Sequence, residues 1–539
     1  MEIALGKLRQ AGGALGIWGA IALCAVAIGL AGAYAVTRTS TAVLIVMGLL
    51  LFALFVAIIL GRWYLGIVLV FVYAPFEDFF RRVIYFGRQI PHLDPVHLVQ
   101  EFLLLSVIIG ILLQAIVNRR RGVTTTQHLS GLMLAVGVYF VYLVIQIFNP
   151  LNNNVVVGAQ GFIQFGFYVL FFFIAARVVL SRVQVRRLLI LSVSCAGVVG
   201  AYAIYQHVHG LSSYDQFELH RLQILLGQSS ASTFLYYGSE VRAFSTLGTY
   251  TACAAYLCVN LVLATYLALR GSRWVRLLAL ATIPLMAGGL LYTYSRTNWL
   301  GATAGIVLLC ALLPRWRLER KLLVLVFLAV LGVTMYGILG QLGQSSLATG
   351  SPIFQRFAQL TNGQGEFTLG QRVKELGYIF QFVNANPLGA GVGADLPSTA
   401  GNIGSAKVAN VHNDNYYALL LFEVGYPGTA LFLGIAIALV VVGLRHAERA
   451  RDDEVHGLGI ALVTLVITLL LISLGEPYLD MAPMPAFFWL GGALLLALPA
   501  LDERARRERE ASWAVDAVSA LIARVRAART GALAGRTTA

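Results

Sequence analysis

Residues 246–269 of the chain read TLGTYTACAAYLCVNLVLATYLAL, and residues 270–276 read RGSRWVR. The first segment contains no charged side chain, and it is longer than the roughly 20 apolar residues that a helix needs to cross the hydrocarbon core of a bilayer. The second segment adds arginines directly after it. This arrangement predicts a membrane-spanning helix with a basic flank, and the rest of the chain repeats it.

The composition of the whole chain is typical of a protein that crosses the membrane many times. Of its 539 residues, 58% are hydrophobic and only 12% are charged, whereas a soluble domain has about 25% charged residues. Helices are expected throughout, because a helix satisfies its own backbone polar groups in lipid. The composition therefore excludes an ordinary soluble enzyme and predicts an all-α, polytopic integral membrane protein.

Long apolar segments recur from one end of the chain to the other and predict about fourteen transmembrane helices. The third, ninth and thirteenth of these are the shortest or the least clearly bounded. The predicted spans cover residues 14–36, 41–60, 62–76, 97–117, 127–148, 159–179, 188–208, 246–269, 277–294, 297–314, 322–340, 415–444, 458–474 and 482–500.

The basic residues fall on one side of these spans. Each main cluster follows an even-numbered span, and Lys7 and Arg9 precede the first span. The positive-inside rule therefore predicts that both termini lie in the cytoplasm. Most of the formal net charge of +14 is then a topological signal and does not indicate nucleic acid as a partner. The clusters begin at Arg119, Arg177, Arg270, Arg315, Arg445 and Arg504.

The spans and loops divide the chain into four regions. Residues 1–277 are predicted to form the N-terminal transmembrane helices, residues 278–437 a core, residues 438–500 the C-terminal transmembrane helices, and residues 501–539 a cytoplasmic tail. The tail has arginines and apolar residues at helical spacing, which favours an amphipathic helix on the cytoplasmic leaflet. A solvated, loosely ordered tail is the alternative.

The segments on the opposite, outer side contain the residues with possible chemistry. The largest is 341–414, and loops of this length are usually functional. Others cover 77–96, 149–158, 209–245 and 475–481. These segments contain arginines against the topological trend, and guanidinium groups suit phosphate or diphosphate by bidentate contact. A phosphorylated lipid at the outer leaflet is therefore an expected ligand, alongside ordinary membrane lipids.

Arg296 is the strongest candidate among these arginines. It lies in TYSRTNW at 293–299, where one apolar span meets the next without an acidic neighbour in sequence. An ionisable group at such a depth indicates a functional site. For each of the others, pairing with a loop carboxylate such as Glu77, Asp78, Glu218 or Glu366 is the simpler expectation. These others are Arg81, Arg82, Arg88, Arg221, Arg242, Arg356 and Arg372.

The large outer loop contains a predicted amphipathic helix. Residues 371–383, QRVKELGYIFQFV, suit a helix lying on the bilayer or against the bundle, because they place on one stripe Val373, Leu376, Phe380 and Val383. Arg372 is expected at the polar edge of this stripe.

A glycine-rich segment, NPLGAGVG at 386–393, follows that helix. Such a segment can present backbone N–H groups to phosphate. However, no strand precedes it and no Lys-Ser/Thr pair follows it. A tight turn is therefore favoured over a nucleotide-binding loop.

The loop ends in VHNDNYY at 411–417. His412 lies at the mouth of the next span beside Asn413 and Asp414, where a neutral imidazole can take a proton from a hydroxyl near pH 7. A hydrogen-bonded interface residue is the plain alternative. Glu423 follows within the apolar part of the span, where placing a charged carboxylate costs much free energy. It is expected to be protonated or paired across the bundle.

The order of these pieces resembles that of the bacterial O-antigen ligase and O-antigen polymerase superfamily. The resemblance covers about 278–437. It rests on SRT at 295–297, Arg372 in its amphipathic segment, NPLGAGVG at 386–393, and His412-Asn413 leading to EVG at 423–425. The segment FSTLGT at 244–249 is also similar to the family's entry to the preceding span.

The resemblance implies a membrane glycosyltransferase of the GT-C type with its active site at the periplasmic face of the bacterial inner membrane. Its donor would be a glycan on undecaprenyl diphosphate, and transfer would invert the anomeric configuration without a metal or cofactor. The acceptor would be the lipid A core in a ligase of lipopolysaccharide biosynthesis, or a second lipid-linked glycan in a polymerase of polysaccharide biosynthesis.

The resemblance also implies roles for individual residues. His412 matches the family's essential histidine and would be catalytic. Arg296 and Arg372 match its arginines, Arg242 matches less closely, and all three would bind the diphosphate. Asn413, Asp414 and Glu423 are possible supporting residues.

Two other interpretations are open. Other enzymes of the GT-C type place a catalytic carboxylate in the first large outer loop, and Glu77-Asp78 has a comparable place here. A polysaccharide or lipid-linked oligosaccharide flippase, or another transporter, would have a similar number of spans. Its substrate site would be expected at the bilayer midplane, on broken helices related by internal repeats, and the sequence has no evident repeat.

Overall fold

The computed structural model describes residues 51–60, 62–87, 95–120, 131–152, 155–177, 180–226, 236–237, 240–315, 364–394 and 415–534. The predicted spans 14–36 and 322–340, and the first part of 41–60, lie outside these residues. His412, Asn413 and Asp414 also lie outside them.

The described part of the chain is nearly all helical. Within it, eight helical segments are long and apolar enough to cross a membrane, and three shorter apolar helices accompany them. These helices coincide with predicted spans three to ten and twelve to fourteen, which confirms a polytopic membrane protein. The α-helices of the described part, in chain order, are α1 (Trp63–Tyr73), α2 (Glu77–Ile84), α3 (Pro95–Arg120), α4 (Gly131–Gln146), α5 (Val155–Phe165), α6 (Leu170–Arg177), α7 (Arg182–His209), α8 (Ser213–Leu226), α9 (Tyr250–Arg270), α10 (Arg273–Tyr292), α11 (Arg296–Leu312), α12 (Gln364–Ala385), α13 (Tyr416–Arg449), α14 (Asp453–Ile472) and α15 (Met484–Ala534).

Short irregular elements interrupt this pattern. The 3₁₀ turn Ala74–Phe76 joins α1 to α2, so the predicted outer loop at 77–96 begins as a helix. Two-residue strands β1 (Tyr236–Tyr237) and β2 (Glu240–Val241) pair antiparallel just before α9. Among the described residues, this strand pair is the only β-structure in a chain predicted to be all-α. It directly precedes Arg242, which is a predicted site residue.

Helices α9 and α14 lie at the centre of the bundle. In each of them 83% of the most apolar window is buried, against 28% in α10. They pack against each other, and α11 packs against both. Helices α7 and α10 pack side by side next to α9. The ends of these central helices therefore position the side chains between them.

The connections between helices gather at two ends of the bundle. At one end, Arg182 forms ion pairs with Asp452 at 3.4 Å and with Glu508 at 3.3 Å. At the other end, where α11 begins, the Asn149 amide donates to the carbonyl of Gly389 at 3.1 Å. We call these the Arg182 end and the Arg296 end. The segments that the positive-inside rule assigns to the same side of the membrane therefore lie at the same end of the bundle and contact one another.

The C-terminal tail continues the last span without a break, because α15 extends from Met484 to Ala534. Its first turns beyond the bundle are attached to the Arg182 end. Asp502 accepts hydrogen bonds from the backbone N–H groups of Arg451 and Asp452, and Arg509 pairs with Asp452 at 2.9 Å. The predicted helical tail agrees with this structure, and its position on the cytoplasmic leaflet stays a prediction.

Candidate functional site

Arg296 is the first residue of α11 and is half-buried. Ser295 is the N-cap residue of this helix, and Tyr294 before it is buried with a positive φ of 55°. The N-terminus of a helix has a partial positive charge that favours an anion. The structure therefore places the predicted arginine where its side chain and its helix both attract a phosphate group.

Arg242 lies in the segment between β2 and α9. Its guanidinium carbon is 4.5 Å from the ring centroid of Tyr250, which is a cation–π contact. The side chain is buried, and its Nε atom has no hydrogen-bond partner among the residues that the structure describes. A buried N–H donor without an acceptor is costly, so this guanidinium is suited to receive an anionic ligand.

The backbone next to Arg242 contacts the turn that leads to Arg296. The N–H of Ala243 donates to the carbonyl of Tyr292 at 2.9 Å. Tyr292 is the last residue of α10, and its ring is stacked on His207 with the centroids 3.8 Å apart. Two of the three predicted diphosphate-binding arginines are thus attached to one short stretch of backbone.

The segment after Arg242 is fixed by bonds to several elements. Ser245, which has a positive φ of 53°, donates its N–H to the Gln206 side chain at 2.7 Å and its hydroxyl to the Val199 carbonyl at 2.6 Å. The hydroxyl of Thr246 donates to the carbonyl of Pro75 at 2.6 Å. These contacts hold an uncommon backbone conformation beside the site.

The acidic pair proposed as an alternative catalytic group has structural partners. One oxygen of Asp78 accepts from the N–H of Gly248 at 2.7 Å, and the other accepts from Arg81 at 3.1 Å. Arg82 pairs with Asp215, and both side chains are fully buried. Arg81 and Arg82 thus pair with carboxylates, as was expected for the outer arginines other than Arg296.

The glycine-rich segment 386–393 forms a tight turn against α13, as predicted. The N–H groups of Ala390 and Gly391 donate to the carbonyls of Phe422 and Glu423 at 2.8 and 2.9 Å. The N–H of Gly393 donates to the carboxylate of Glu423 at 2.9 Å. These bonds occupy the N–H groups that a nucleotide-binding loop would offer to phosphate. Glu423 is therefore paired across the bundle, and the pair holds the turn in place.

Helix α12 packs on α13 through a stripe that differs from the predicted one. Ile379 and Val383 are buried against Phe422 and its neighbours, whereas Phe380 is 47% exposed. Leu376 packs against the same cluster, so Leu376 and Val383 of the predicted stripe face α13 and Ile379 takes the place of Phe380. Position 372 lies seven residues before Ile379, so it occupies the same helical face. The side chain of Arg372 lies outside the described part of the structure.

The segment with His412 leads directly into α13. This helix begins at Tyr416, with Asn415 as its N-cap residue, and the N–H of Tyr416 donates to the carbonyl of Ser473 at 3.1 Å. His412 is four residues earlier, so its backbone can lie at most about 14 Å from that of Tyr416. The start of α13 lies at the Arg296 end of the bundle, and the place of His412 beside it stays a prediction.

Asn298 and Tyr478 join this site, and sequence reasoning missed both. The Asn298 amide donates to the Ser295 hydroxyl at 2.9 Å and to the Tyr478 hydroxyl. Asn298 and Tyr478 are both fully buried. A polar amide within an apolar span was the available signal for Asn298, whereas nothing in the sequence distinguishes Tyr478.

The charge of the assembled site comes mainly from its arginines. Among the described residues, no group of three or more His, Cys, Asp or Glu side chains is arranged to hold a metal ion. Cys195, Cys253 and Cys258 are buried and free. This arrangement favours the binding of an anionic group near the N-terminal end of α13.

Comparison with known proteins identifies a family that the central part of the chain resembles. Residues 281–433 match the family model for O-antigen ligase. No curated protein matches the chain. The matched segment includes Arg296, Arg372, His412 and Glu423, whereas Arg242 and Tyr478 lie outside it. The match confirms the resemblance seen in the sequence: residues 281–433 of this membrane protein are similar to the O-antigen ligase family.

Proposed function

We propose that the chain is a GT-C-type membrane glycosyltransferase that transfers a glycan from undecaprenyl diphosphate to an acceptor hydroxyl. The observation that supports this most directly is the contact between the Arg242 segment and the turn before Arg296, in a bundle of which residues 281–433 match the O-antigen ligase family. Two buried or half-buried arginines beside one turn suit a diphosphate, because their guanidinium groups can bind several oxygens at once.

The reaction is proposed to occur at the periplasmic face of the bacterial inner membrane. The Arg182 end contains the basic clusters that begin at Arg270, Arg315 and Arg445, and the positive-inside rule places such clusters in the cytoplasm. Both termini would then be cytoplasmic, and the Arg296 end would face the periplasm, where the lipid-linked donor is presented.

In the proposed step, the acceptor oxygen forms a bond to the anomeric carbon while the bond from that carbon to the diphosphate oxygen breaks. The electron pair of the broken bond leaves with undecaprenyl diphosphate, and His412 takes the proton of the acceptor hydroxyl. Arg296, Arg372 and Arg242 stabilise the negative charge that develops on the diphosphate. Attack opposite to the leaving group inverts the anomeric configuration, and the step needs neither a metal nor a cofactor.

Substitution of His412 by alanine tests this function. General-base assistance is worth roughly 10²–10⁴ in rate, so the purified His412→Ala protein should lose transfer by about that factor while it still inserts into the membrane. His220→Ala is the matched control, because His220 is exposed on α8 and lies outside the proposed site. Transfer by His412→Ala at the wild-type rate from a defined lipid-linked donor would show that the assignment is wrong.

The same assay separates the possible acceptors. A ligase transfers the glycan only when lipid A core is supplied, whereas a polymerase elongates the lipid-linked glycan without it. A flippase is not favoured by the family match, and it would move the lipid-linked donor across a liposome membrane when no acceptor is present. An enzyme of the proposed type should not do so.

A further inference from the structure

The loop after α14, residues 473–481, contacts the beginnings of three helices. The carbonyl of Ser473 accepts from the N–H of Tyr416 at the start of α13. Tyr478 hydrogen-bonds Asn298 in the first turn of α11. The Met481 sulfur accepts from the Thr251 hydroxyl in the first turn of α9, at 3.7 Å. One short loop therefore fixes these three helix starts relative to one another.

Each of the three helix starts is preceded by, or contains, a residue of the proposed site. Arg242 lies in the segment before α9, Arg296 is the first residue of α11, and His412 lies just before α13. None of the residues to which the proposed reaction assigns a role lies in the 473–481 loop. Its contacts nevertheless set the spacing between the starts of α9 and α11, next to the two described arginines of the proposed site, and the start of α13.

Tyr478 is the most deeply embedded contact of this loop. Its side chain is fully buried, and its hydroxyl also hydrogen-bonds Ser295. Ser295 is the N-cap residue of α11, but its side chain makes no capping hydrogen bond to the backbone. The Ser295 hydroxyl is instead shared between Asn298 and Tyr478. The residue directly before Arg296 is thus held by a side-chain network and not by the usual cap.

The protonation of Tyr478 suits a permanent structural contact. Burial raises the pKa of the Tyr478 phenol well above its usual value. The phenol therefore stays neutral throughout the range in which a histidine base works, and its hydrogen bonds do not change with pH in that range.

We propose that Tyr478 is a positioning residue, which acts through Asn298 and Ser295 to hold the Arg296 guanidinium at the donor diphosphate. This inference rests on the proposed function. Tyr478 lies outside the matched family segment, in the loop that follows α14. The proposal adds it to the set of residues that determine how tightly the diphosphate is held. A displacement of about 1 Å in such a group can cost about 10²-fold in rate.

The test compares Tyr478→Phe with Tyr139→Phe. Both changes remove one buried hydroxyl, but the Tyr139 hydroxyl has no hydrogen-bond partner among the described residues, so its removal should be neutral. Tyr478→Phe should weaken the affinity for undecaprenyl diphosphate by up to about tenfold, because the network that holds Arg296 loses one buried hydrogen bond. The thermal midpoint of Tyr478→Phe should lie below that of Tyr139→Phe, because the buried Asn298 amide loses an acceptor, so both affinities are measured well below either midpoint. An unchanged affinity in Tyr478→Phe would overturn the proposal.

A double-mutant cycle with Arg296→Ala shows whether Tyr478 acts through Arg296. If it does, Tyr478→Phe should have almost no further effect on undecaprenyl diphosphate affinity in the Arg296→Ala background, because coupled residues are not additive. Equal effects in both backgrounds would overturn the positioning role while leaving the proposed function intact. If Arg296→Ala alone binds the diphosphate as the wild type does, the proposed site itself is wrong, and the two failures are thereby distinguished.

Ser295→Ala repeats the test at the other end of the network. The Ser295 hydroxyl does not cap the helix backbone, so this variant should fold even if Tyr478→Phe does not. It should weaken diphosphate affinity in the wild-type background and have little effect in the Arg296→Ala background. Additive effects would again overturn the proposal.

Discussion

Ser245 and Tyr294 are the non-glycine residues with positive φ in the described part of the chain, at 53° and 55°. Such conformations cost roughly 1–3 kcal/mol each and persist only where the surroundings enforce them. Ser245 lies three residues after Arg242, and Tyr294 lies two residues before Arg296. The backbone is therefore held in uncommon conformations next to both described arginines of the proposed site, which is where a binding role would require fixed geometry.

Asp78→Asn separates the carboxylate interpretation from the histidine interpretation at the scale of one residue. Asp78 accepts from Gly248 and Arg81, so the amide should lose the ion pair and destabilise the protein by about 0.5–1.5 kcal/mol. Transfer per folded molecule should stay close to that of the wild type. The measurements are the thermal midpoint in detergent and the initial rate of transfer, with His412→Ala assayed in parallel. A loss of about 10²-fold or more in Asp78→Asn would identify this carboxylate as the catalytic one.

Single residues differ in how visible their roles are in the sequence. Arg296 was found because a charged side chain between two apolar spans has few structural explanations. Tyr478 was not found, because its partner Asn298 is 180 positions away in the chain and tyrosines are frequent at membrane interfaces. Long-range hydrogen bonds of this kind are determined by packing and leave no local pattern.

At the scale of elements, the glycine turn 386–393 and the kink in α13 form one interlocked unit. Gly425 lies inside α13 with φ 62° and ψ −167°, and the N–H of Tyr426 donates to the carbonyl of Pro387 at 3.0 Å. On the other side of the turn, the amides of Asn149 and Asn152 donate to the carbonyls of Gly389 and Val392 at 3.1 and 2.8 Å. The turn therefore connects the kinked helix to the loop after α4.

Gly425→Ala should break this interlock. A Cβ atom at Gly425 would overlap the Pro387 carbonyl and the Gly389 backbone, and the backbone conformation itself costs an L-residue about 1–3 kcal/mol. Gly434→Ala is the control in the same helix, because a Cβ there meets nothing within 4 Å and replaces a helix-interior glycine at a gain of about 0.5–1 kcal/mol. Thermal unfolding in detergent should show a lower midpoint for Gly425→Ala only. Equal midpoints would show that the turn does not depend on the kink.

The register of α12 shows a limit of periodicity as a predictor. Both Ile379 and Phe380 are apolar, and a stripe through either one fits the helical period. The structure buries Ile379 against α13 and leaves Phe380 half-exposed. In a membrane protein both lipid and the bundle interior accept apolar residues, so hydrophobicity alone cannot choose between two adjacent faces.

For the whole molecule, the two features most accurately predicted were the helical spans and the grouping of their connections. Both follow from simple physics, since lipid requires apolar helices of a minimum length and basic clusters mark one side. Residues such as Arg182 and Asp452, 270 positions apart, meet at one end because alternate spans return the chain to it. The packing between spans, including the central position of α9 and α14, had no comparable signal.

The orientation of the whole bundle is open to a direct measurement. Ser213 and Ser272 are both exposed, Ser213 at the Arg296 end and Ser272 at the Arg182 end between α9 and α10. Ser213→Cys and Ser272→Cys each replace one oxygen by sulfur, so the two thiols differ chiefly in location. Since the basic clusters lie at the Arg182 end and are expected in the cytoplasm, a membrane-impermeant maleimide added to spheroplasts should label Ser213→Cys. Ser272→Cys should react only after the membrane is permeabilised.

The background for both variants is a protein in which Cys24 and Cys310 are replaced by serine, because Cys310 is exposed and Cys24 lies outside the described residues. Cys195, Cys253 and Cys258 are buried within helices and can stay. Labelling of Ser272→Cys in intact spheroplasts, with Ser213→Cys protected, would show that the bundle has the opposite orientation in the membrane. Arg296 would then lie on the cytoplasmic side. The donor diphosphate would then have to be bound from the cytoplasm, and a transfer reaction at the periplasmic face would be untenable. The predicted labelling instead places Arg242, Arg296 and the start of α13 on the same side as a lipid-linked glycan in the outer leaflet.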